Sequence, residues 1–348
     1  MLAAQSQRQQ LALRGDNLPH ILRTAAIAAS SGLIISGCGD HRSQPTDSAR
    51  VFKDSYDHRV LVDSTITRAI TLYYVQAEMA CSVGAEGSIV AVGRLSQGQS
   101  AVIDNFCPGM LRLPTVGTGA NLDYEEVIGL MPDLVVGGVE LEPLQHLERL
   151  GVTTFSSFPR HPLDVLTQIR TIGGLLGRPR QAERVAEFLD SLYMLVIART
   201  ASLSEDERPL VYYARTTPLV TLGGGVNNEV IRLIGGRSAT STLPGEMASV
   251  QVSLEQLYLW NPDVIILRDR ASFTPEDLIA QSEWSGIRAV RNHRVYQETY
   301  GWTEYRVAAF VGFLEKAKWL HPELFADVDP QSAYRSLLRL LQEVRAER

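Results

Sequence analysis

Residues 113–136 and 243–266 resemble one another at a constant spacing of 130 positions, which restricts the chain to folds that use one α/β unit twice. Leu113, Pro114, Glu125, Pro132 and Asp133 recur as Leu243, Pro244, Glu255, Pro262 and Asp263. Asp123-Tyr-Glu-Glu126 and Ser253-Leu-Glu-Gln256 both have the form of a capping box, so each predicts a helix start with Glu125 or Glu255 in its first turn. Each helix then reaches a Pro-Asp turn and feeds an aliphatic strand, Leu134–Val136 in one copy and Val264–Leu267 in the other.

Elsewhere short aliphatic runs (Ile89–Val92, Val152–Phe155, Leu210–Tyr213, Val295–Tyr296) alternate with helical patterns, one of them over Gln76–Val83. That alternation predicts parallel sheets covered by helices, in two similar α/β lobes. Between the lobes, Pro179 opens an uninterrupted helical pattern to about Ser202, with apolar residues at Val185, Phe188, Leu189, Leu192 and Val196. About 24 residues at 1.5 Å each make a rod of roughly 36 Å, long enough to join two lobes rigidly. The expected organisation is therefore an N-terminal lobe at 57–177, a linking helix at 178–204 and a C-terminal lobe with a terminal helix at 205–348.

The first 56 residues read differently. Arg23 precedes a small, apolar run from Thr24 to Ile35, which is too short for a stable membrane span and has the character of an export signal. Ile35-Ser36-Gly37-Cys38 resembles the lipobox of bacterial lipoproteins, which implies cleavage after residue 37 and acylation of Cys38. Residues 1–22 form a long, polar leader containing Asp16, so translation from a later start is also compatible with the signal. Residues 38–56 are too polar to build a core and are expected to tether the domain to a membrane on its extracytoplasmic face. The net charge of −6 and the lack of any lysine or arginine run argue against a nucleic-acid partner. With Cys38 lipidated, Cys81 and Cys107 are left in an oxidising compartment, either as a disulfide or, for Cys81, as a small buried apolar residue.

Over residues 58–328 the sequence resembles the helical-backbone (class III) substrate-binding proteins of bacterial ABC importers for iron-siderophores, haem and cobalamin. The marks are Leu113-Pro-Thr-Val-Gly117, Glu125 followed by Pro132-Asp-Leu-Val, Glu255 followed by Pro262-Asp-Val-Ile, the linking helix, and Trp319-Leu-His-Pro-Glu-Leu-Phe325. The resemblance implies two Rossmann-like lobes with parallel sheets joined by a single long backbone helix, working as a monomer. It also implies that Glu125 and Glu255 dock onto arginines of a permease dimer driven by an ATPase. Such a protein is not an enzyme and keeps no cofactor, the metal being part of the transported ligand.

Ligands of two-lobed α/β proteins bind beyond the carboxyl ends of the strands. The loops expected there carry Tyr73, Tyr74, Arg94, Phe158-Pro-Arg160, Arg215, Arg268 with Arg270, and Tyr300-Gly-Trp302. Arginines pair with carboxylates or oxyanions in fork geometry, and aromatic rings offer flat faces, so this wall suits an anionic, partly aromatic metal chelate. Arg215 and Trp302 are the foremost candidates; His161 is the histidine placed to touch the cleft. The seven histidines are scattered, which disfavours a bare-metal cage. Leu222-Gly-Gly-Gly-Val-Asn-Asn-Glu229 is a strand-to-helix turn beside the cleft that lacks the lysine and hydroxyl of a P-loop. An oxyanion such as molybdate or tungstate is the alternative ligand. A sensor lipoprotein and a chelatase-like enzyme on the same fold are the alternative functions, though the enzyme has no Gly-x-Ser-x-Gly, His-Glu-x-x-His or Cys-x-x-Cys to support it.

Overall fold

The computed structural model describes residues 50–347 apart from 63, 96–98, 100–102, 104, 105, 120, 139, 244–248 and 304. The export signal, Cys38, most of the expected tether and Pro244 therefore lie outside the described residues.

The N-terminal lobe runs β1 (Arg50–Lys53), β2 (Arg59–Val62), β3 (Ala69–Thr71), α1 (Tyr74–Ser82), β4 (Ile89–Val92), α2 (Tyr124–Gly129), β5 (Leu134–Gly137), α3 (Leu141–Arg149), β6 (Thr154–Ser156) and α4 (Asp164–Leu175). The linking helix α5 is Pro179–Thr200. Beyond it come β7 (Leu210–Ala214), β8 (Val220–Leu222), α6 (Gly225–Leu233), β9 (Arg237–Ser238), β10 (Ser249–Gln251), α7 (Leu254–Trp260), β11 (Val264–Leu267), α8 (Pro275–Ile279), α9 (Arg288–Arg291), β12 (Val295–Gln297), α10 (Ala309–Leu320) and α11 (Pro330–Ala346). Each lobe has a four-stranded parallel sheet, ordered β4-β3-β5-β6 in the first and β12-β11-β7-β9 in the second.

Period-two alternation in the strands decides how the lobes are joined. Val264 and Ile266 of β11 face one core, while Ile265 and Leu267 face another. In β5, Leu134 and Val136 join the same core as Val264, whereas Val135 joins a third core with Val127 and Leu147. The inner faces of both sheets thus share one core, filled by Leu166 of α4, Val185 of α5, Phe310 of α10 and Leu337 of α11. Each such side chain contributes about 1.5–3 kcal/mol when fully buried. The outer faces keep separate, smaller cores.

Two expectations need correction. The tether enters the fold before its end, because Arg50–Lys53 pairs with β2 in antiparallel register. The terminal helix does not belong to the C-terminal lobe alone. Arg345 at the end of α11 donates from Nε to Cys81 O at 3.3 Å and from Nη2 to Phe106 O, both in the N-terminal lobe. A Cβ at Gly84, whose φ is +72°, would lie 3.1 Å from Val344 O, so glycine is what allows α11 to seat so closely. On the linking helix, Arg184 Nη2 meets Glu343 Oε2 at 3.1 Å. Of the two states open to the cysteines, the structure has the Cys81–Cys107 disulfide, with Cα atoms 6.0 Å apart.

Candidate functional site

The carboxyl ends of β3 and β4 open into a pocket of about 460 Å³ lined by Tyr73, Tyr74, Arg94, Thr118, Gly119 and Glu140. Tyr73 follows β3 as the N-cap of α1, and its backbone N–H donates to Gln76 Oε1 at 3.2 Å. Gln76 in turn donates through Nε2 to Ser157 O at 2.9 Å, tying the helix start to the loop after β6. The Tyr73 hydroxyl donates to Glu140, and its ring lies between Gly119 and Gly138, where added Cβ atoms would collide with it. Burial, then the Glu140 carboxylate, push the phenol well above its usual range. Tyr73 is thus a neutral, fixed group rather than a phenolate.

Tyr74 faces the junction with the other lobe. Arg306 lies 4.6 Å from its ring centroid and 3.3 Å from the carboxylate of Glu78 on α1. Glu78 is fully buried and also accepts from Val307 N at 3.0 Å. Burial raises its carboxyl pKa, opposed by the charge of Arg306. Phe158 packs on Tyr305 at 5.7 Å across the same junction.

On the C-terminal lobe, Arg215 and Arg268 follow adjacent strands, β7 and β11, and Arg268 N donates to Ala214 O at 2.9 Å. Arg215 Nη1 is held by Ser249 Oγ at 2.8 Å. Arg268 Nε and Arg270 Nε lie 3.8 and 3.9 Å from the carboxylate of buried Asp269, which also accepts from Gly301 N at 3.3 Å. That last bond brings the loop carrying the exposed Tyr300 beside the arginines. The glycine-rich turn forms as expected, with φ of +60° at Gly224 and +72° at Gly225 opening α6.

Two predicted site residues are placed elsewhere. Trp302 is only 3% exposed and packs 5.1 Å from Tyr334 of α11, so it belongs to the shared core. Arg160 is exposed and stacks over Tyr56 at 5.1 Å, in a pocket separate from that of Tyr73. Its neighbour His161 crosses between lobes, 3.0 Å from Glu229 of α6, and that carboxylate raises the imidazole pKa. A pocket of about 750 Å³ lined by Arg208, Arg232 and Arg237 lies at the starts of β7 and β9, the end of the sheet opposite Arg215. Size alone does not make it the counterpart of the Tyr73 pocket, which sits at strand ends. Glu140, Gln76, Glu78 and Arg306 were not anticipated. The one local signal was Glu78, a carboxylate in an otherwise apolar helical run.

Glu125 and Glu255 occupy matching places at the starts of two helices, one in each lobe. Both are exposed second residues of their helices, with Asp123 Oδ1 accepting from Glu126 N at 3.0 Å and Ser253 Oγ from Gln256 N at 3.1 Å. The Asp123 amide is spent on Val116 O at 2.9 Å, so it does not call on Glu126 to complete a reciprocal box. Asn261 (φ +46°) caps α7 in the left-handed region, whereas α2 is capped by right-handed Leu130 and Met131 (φ +45°) follows it. Among the described residues no group of three or more His, Cys, Asp or Glu is arranged to hold a metal ion, and no helix is long and apolar enough to cross a membrane.

Residues 70–298 match the model of the periplasmic binding protein family. The chain is 24% identical to the molybdate-binding protein MolA of Haemophilus influenzae over 312 residues, 80% of this chain and 87% of that protein. It is 28% identical to a vitamin B12-binding protein of Yersinia pestis over 206 residues, 58% of this chain and 69% of that one. The fold is also that of a periplasmic solute binding protein from Veillonella parvula, with a TM-score of 0.72 at 24% identity over 83% of this chain and 91% of that one.

Proposed function

Since the chain belongs to the periplasmic binding protein family, matched over residues 70–298, we propose that it captures an anionic metal chelate between its lobes and delivers it to an ABC importer. The chelate is an iron complex, siderophore or haem, or a cobalamin-type compound. The observation that carries this reading is the division of labour at the strand ends. The N-terminal lobe presents a fixed Tyr73–Glu140 pair beside Tyr74 and Arg94. The C-terminal lobe presents Arg215 and Arg268 on adjacent strands. Guanidinium groups engage carboxylates and oxyanions with charge-assisted hydrogen bonds, while the tyrosines supply flat surface for an organic scaffold. The metal travels inside the ligand and needs no ligating cage in the protein.

Glu125 and Glu255 are the docking groups for a permease dimer coupled to an ATPase, and Cys38 is the lipid attachment that keeps the protein at the membrane. The test is titration of the full-length protein, followed by tryptophan fluorescence and thermal shift, with ferric siderophores, haem, cobalamin and molybdate. Saturable stabilisation by a chelate that is lost in Arg268→Ala supports the reading. Saturation by molybdate alone transfers the site to an oxyanion. Reversal of both docking glutamates should abolish transport and leave ligand affinity unchanged; unchanged transport would favour a sensor over an importer component.

A further inference from the structure

On the reading of the cleft proposed above, we infer that Glu315 and Lys316, consecutive residues of α10, are positioning residues for its cationic wall. Neither lines the Tyr73 pocket. Both hold the loop 298–301, and through that loop they set the strand ends that carry Arg215 and Arg268.

Lys316 and Glu298 are 3% and 5% exposed, and Lys316 Nζ donates to Glu298 Oε1 at 2.8 Å. The other oxygen of that carboxylate accepts from the Tyr213 hydroxyl at 2.8 Å. Tyr213 stands on β7 two residues before Arg215, and Glu298 directly follows β12. One buried carboxylate thus ties α10 to two strands of the sheet. Glu315 fixes the next residue of the loop, accepting from Thr299 Oγ1 at 2.6 Å and from Thr299 N at 3.2 Å. The loop then grips the third strand on either side of Arg268. Glu298 N donates to Leu267 O at 2.9 Å, and Gly301 N donates to Asp269 Oδ2 at 3.3 Å.

Stability alone gives no reason to bury this pair. An ion pair taken out of water forfeits the hydration of both charges, and apolar side chains of similar volume often leave a protein as stable or more so. The space beside the pair, about 10 Å³, is no larger than a single water needs, so the pair is not itself a ligand site. What the charges supply is direction. A hydrogen bond weakens steeply off its preferred angle, whereas an apolar contact between α10 and the loop would let one slide on the other. The arginines depend on that direction, because a guanidinium engages an oxyanion best in fork geometry.

The test compares full-length wild type with Lys316→Met, which removes the buried charge, and Lys316→Arg, which keeps a cationic donor. Thr299→Val, a near-isosteric change that deletes only the hydroxyl held by Glu315, serves if Lys316→Met does not fold. Hydrogen exchange reads the loop without any ligand. The amides of Thr299 and Gly301 should exchange about tenfold faster in Lys316→Met and about threefold faster in Thr299→Val, with those of Val264–Ile266 unchanged. Titration with haem, cyanocobalamin, a ferric catecholate and molybdate reads the wall. Any of these that wild type binds should bind Lys316→Met about tenfold more weakly, as for the loss of one hydrogen bond to a charged group, and Thr299→Val about threefold more weakly. Lys316→Arg should recover most of the affinity. Unchanged exchange at Thr299 and Gly301 in both variants would overturn the inference. So would unchanged affinity in both for a probe that wild type binds, which would leave the network a brace of the core alone. Failure of wild type to bind any of the four would count against the importer reading instead, and exchange would still decide whether α10 holds the loop.

Discussion

The two walls of the candidate cleft are built on opposite principles. On the N-terminal lobe the Tyr73–Glu140 pair is fixed by shape, with Tyr73 confined between Gly119 and Gly138. On the C-terminal lobe the polar groups are cationic and oriented by hydrogen bonds or charge, Arg215 by Ser249 and Arg268 by Asp269. On the proposed reading, one wall selects form and the other selects charge. Between them the Glu78–Arg306 pair fixes their relation, because it joins α1 of one lobe to Arg306 and Val307 of the other.

The most severe way to break the comparison is to remove that joint. Glu78→Ala leaves Arg306 buried without its counter-charge and should cost about 3–5 kcal/mol of stability, read by chemical denaturation. Next, Arg268→Ala should weaken an anionic ligand by about 1.5–3 kcal/mol, the range for a hydrogen bond to a charged group, with little effect on a neutral analogue. Gly138→Ala forces a methyl into the Tyr73 ring and should lower stability by about 1–3 kcal/mol, with ligand shape discrimination lost and charge discrimination retained. Tyr73→Phe removes a single hydroxyl and should cost about 0.5–1.5 kcal/mol of affinity, similar for charged and neutral ligands. If Arg268→Ala and Tyr73→Phe affect both ligand types alike, the division between form and charge is wrong.

The smallest effect concerns pH. The folded-state pKa of His161 is raised above 6.5 by Glu229, so the stability from this bridge is fully present below the unfolded value and is lost as pH rises through the folded value. Denaturation of wild type against His161→Gln should therefore differ most at acidic pH and converge above the folded pKa. The pair is exposed, which keeps the difference small.

Much of the architecture was legible because its causes are local. The strand at Val264–Leu267 has the bounds expected from its aliphatic run, and the Pro179 helix start needs only a fixed φ and a missing donor. The repeat placed Glu125 and Glu255 at equivalent helix starts for the same reason. The geometry of the candidate site was legible only in part. Tyr73, Tyr74 and Arg94 share a pocket because they follow neighbouring strands. Trp302 was misplaced because the loop after β12 turns inward at Gly301 (φ +82°), so the indole packs against α11, a contact made over 32 residues of separation that no local pattern encodes. Glu140 and Arg306 were invisible for a related reason. Their roles arise from partners, Tyr73 and Glu78, that lie far away in sequence.

The seating of α11 also sets an order on biosynthesis. Arg345 supplies donors to backbone carbonyls of Cys81 and Phe106, beside the disulfide, and Leu337 and Leu341 fill the core behind α1. A ribosome releasing this chain from its amino end therefore cannot complete the first lobe until the last helix has emerged. The nascent N-terminal lobe must wait with that patch uncovered, and a stop codon introduced before Pro330 would strand it there, injuring the half of the molecule farthest from the lesion in sequence.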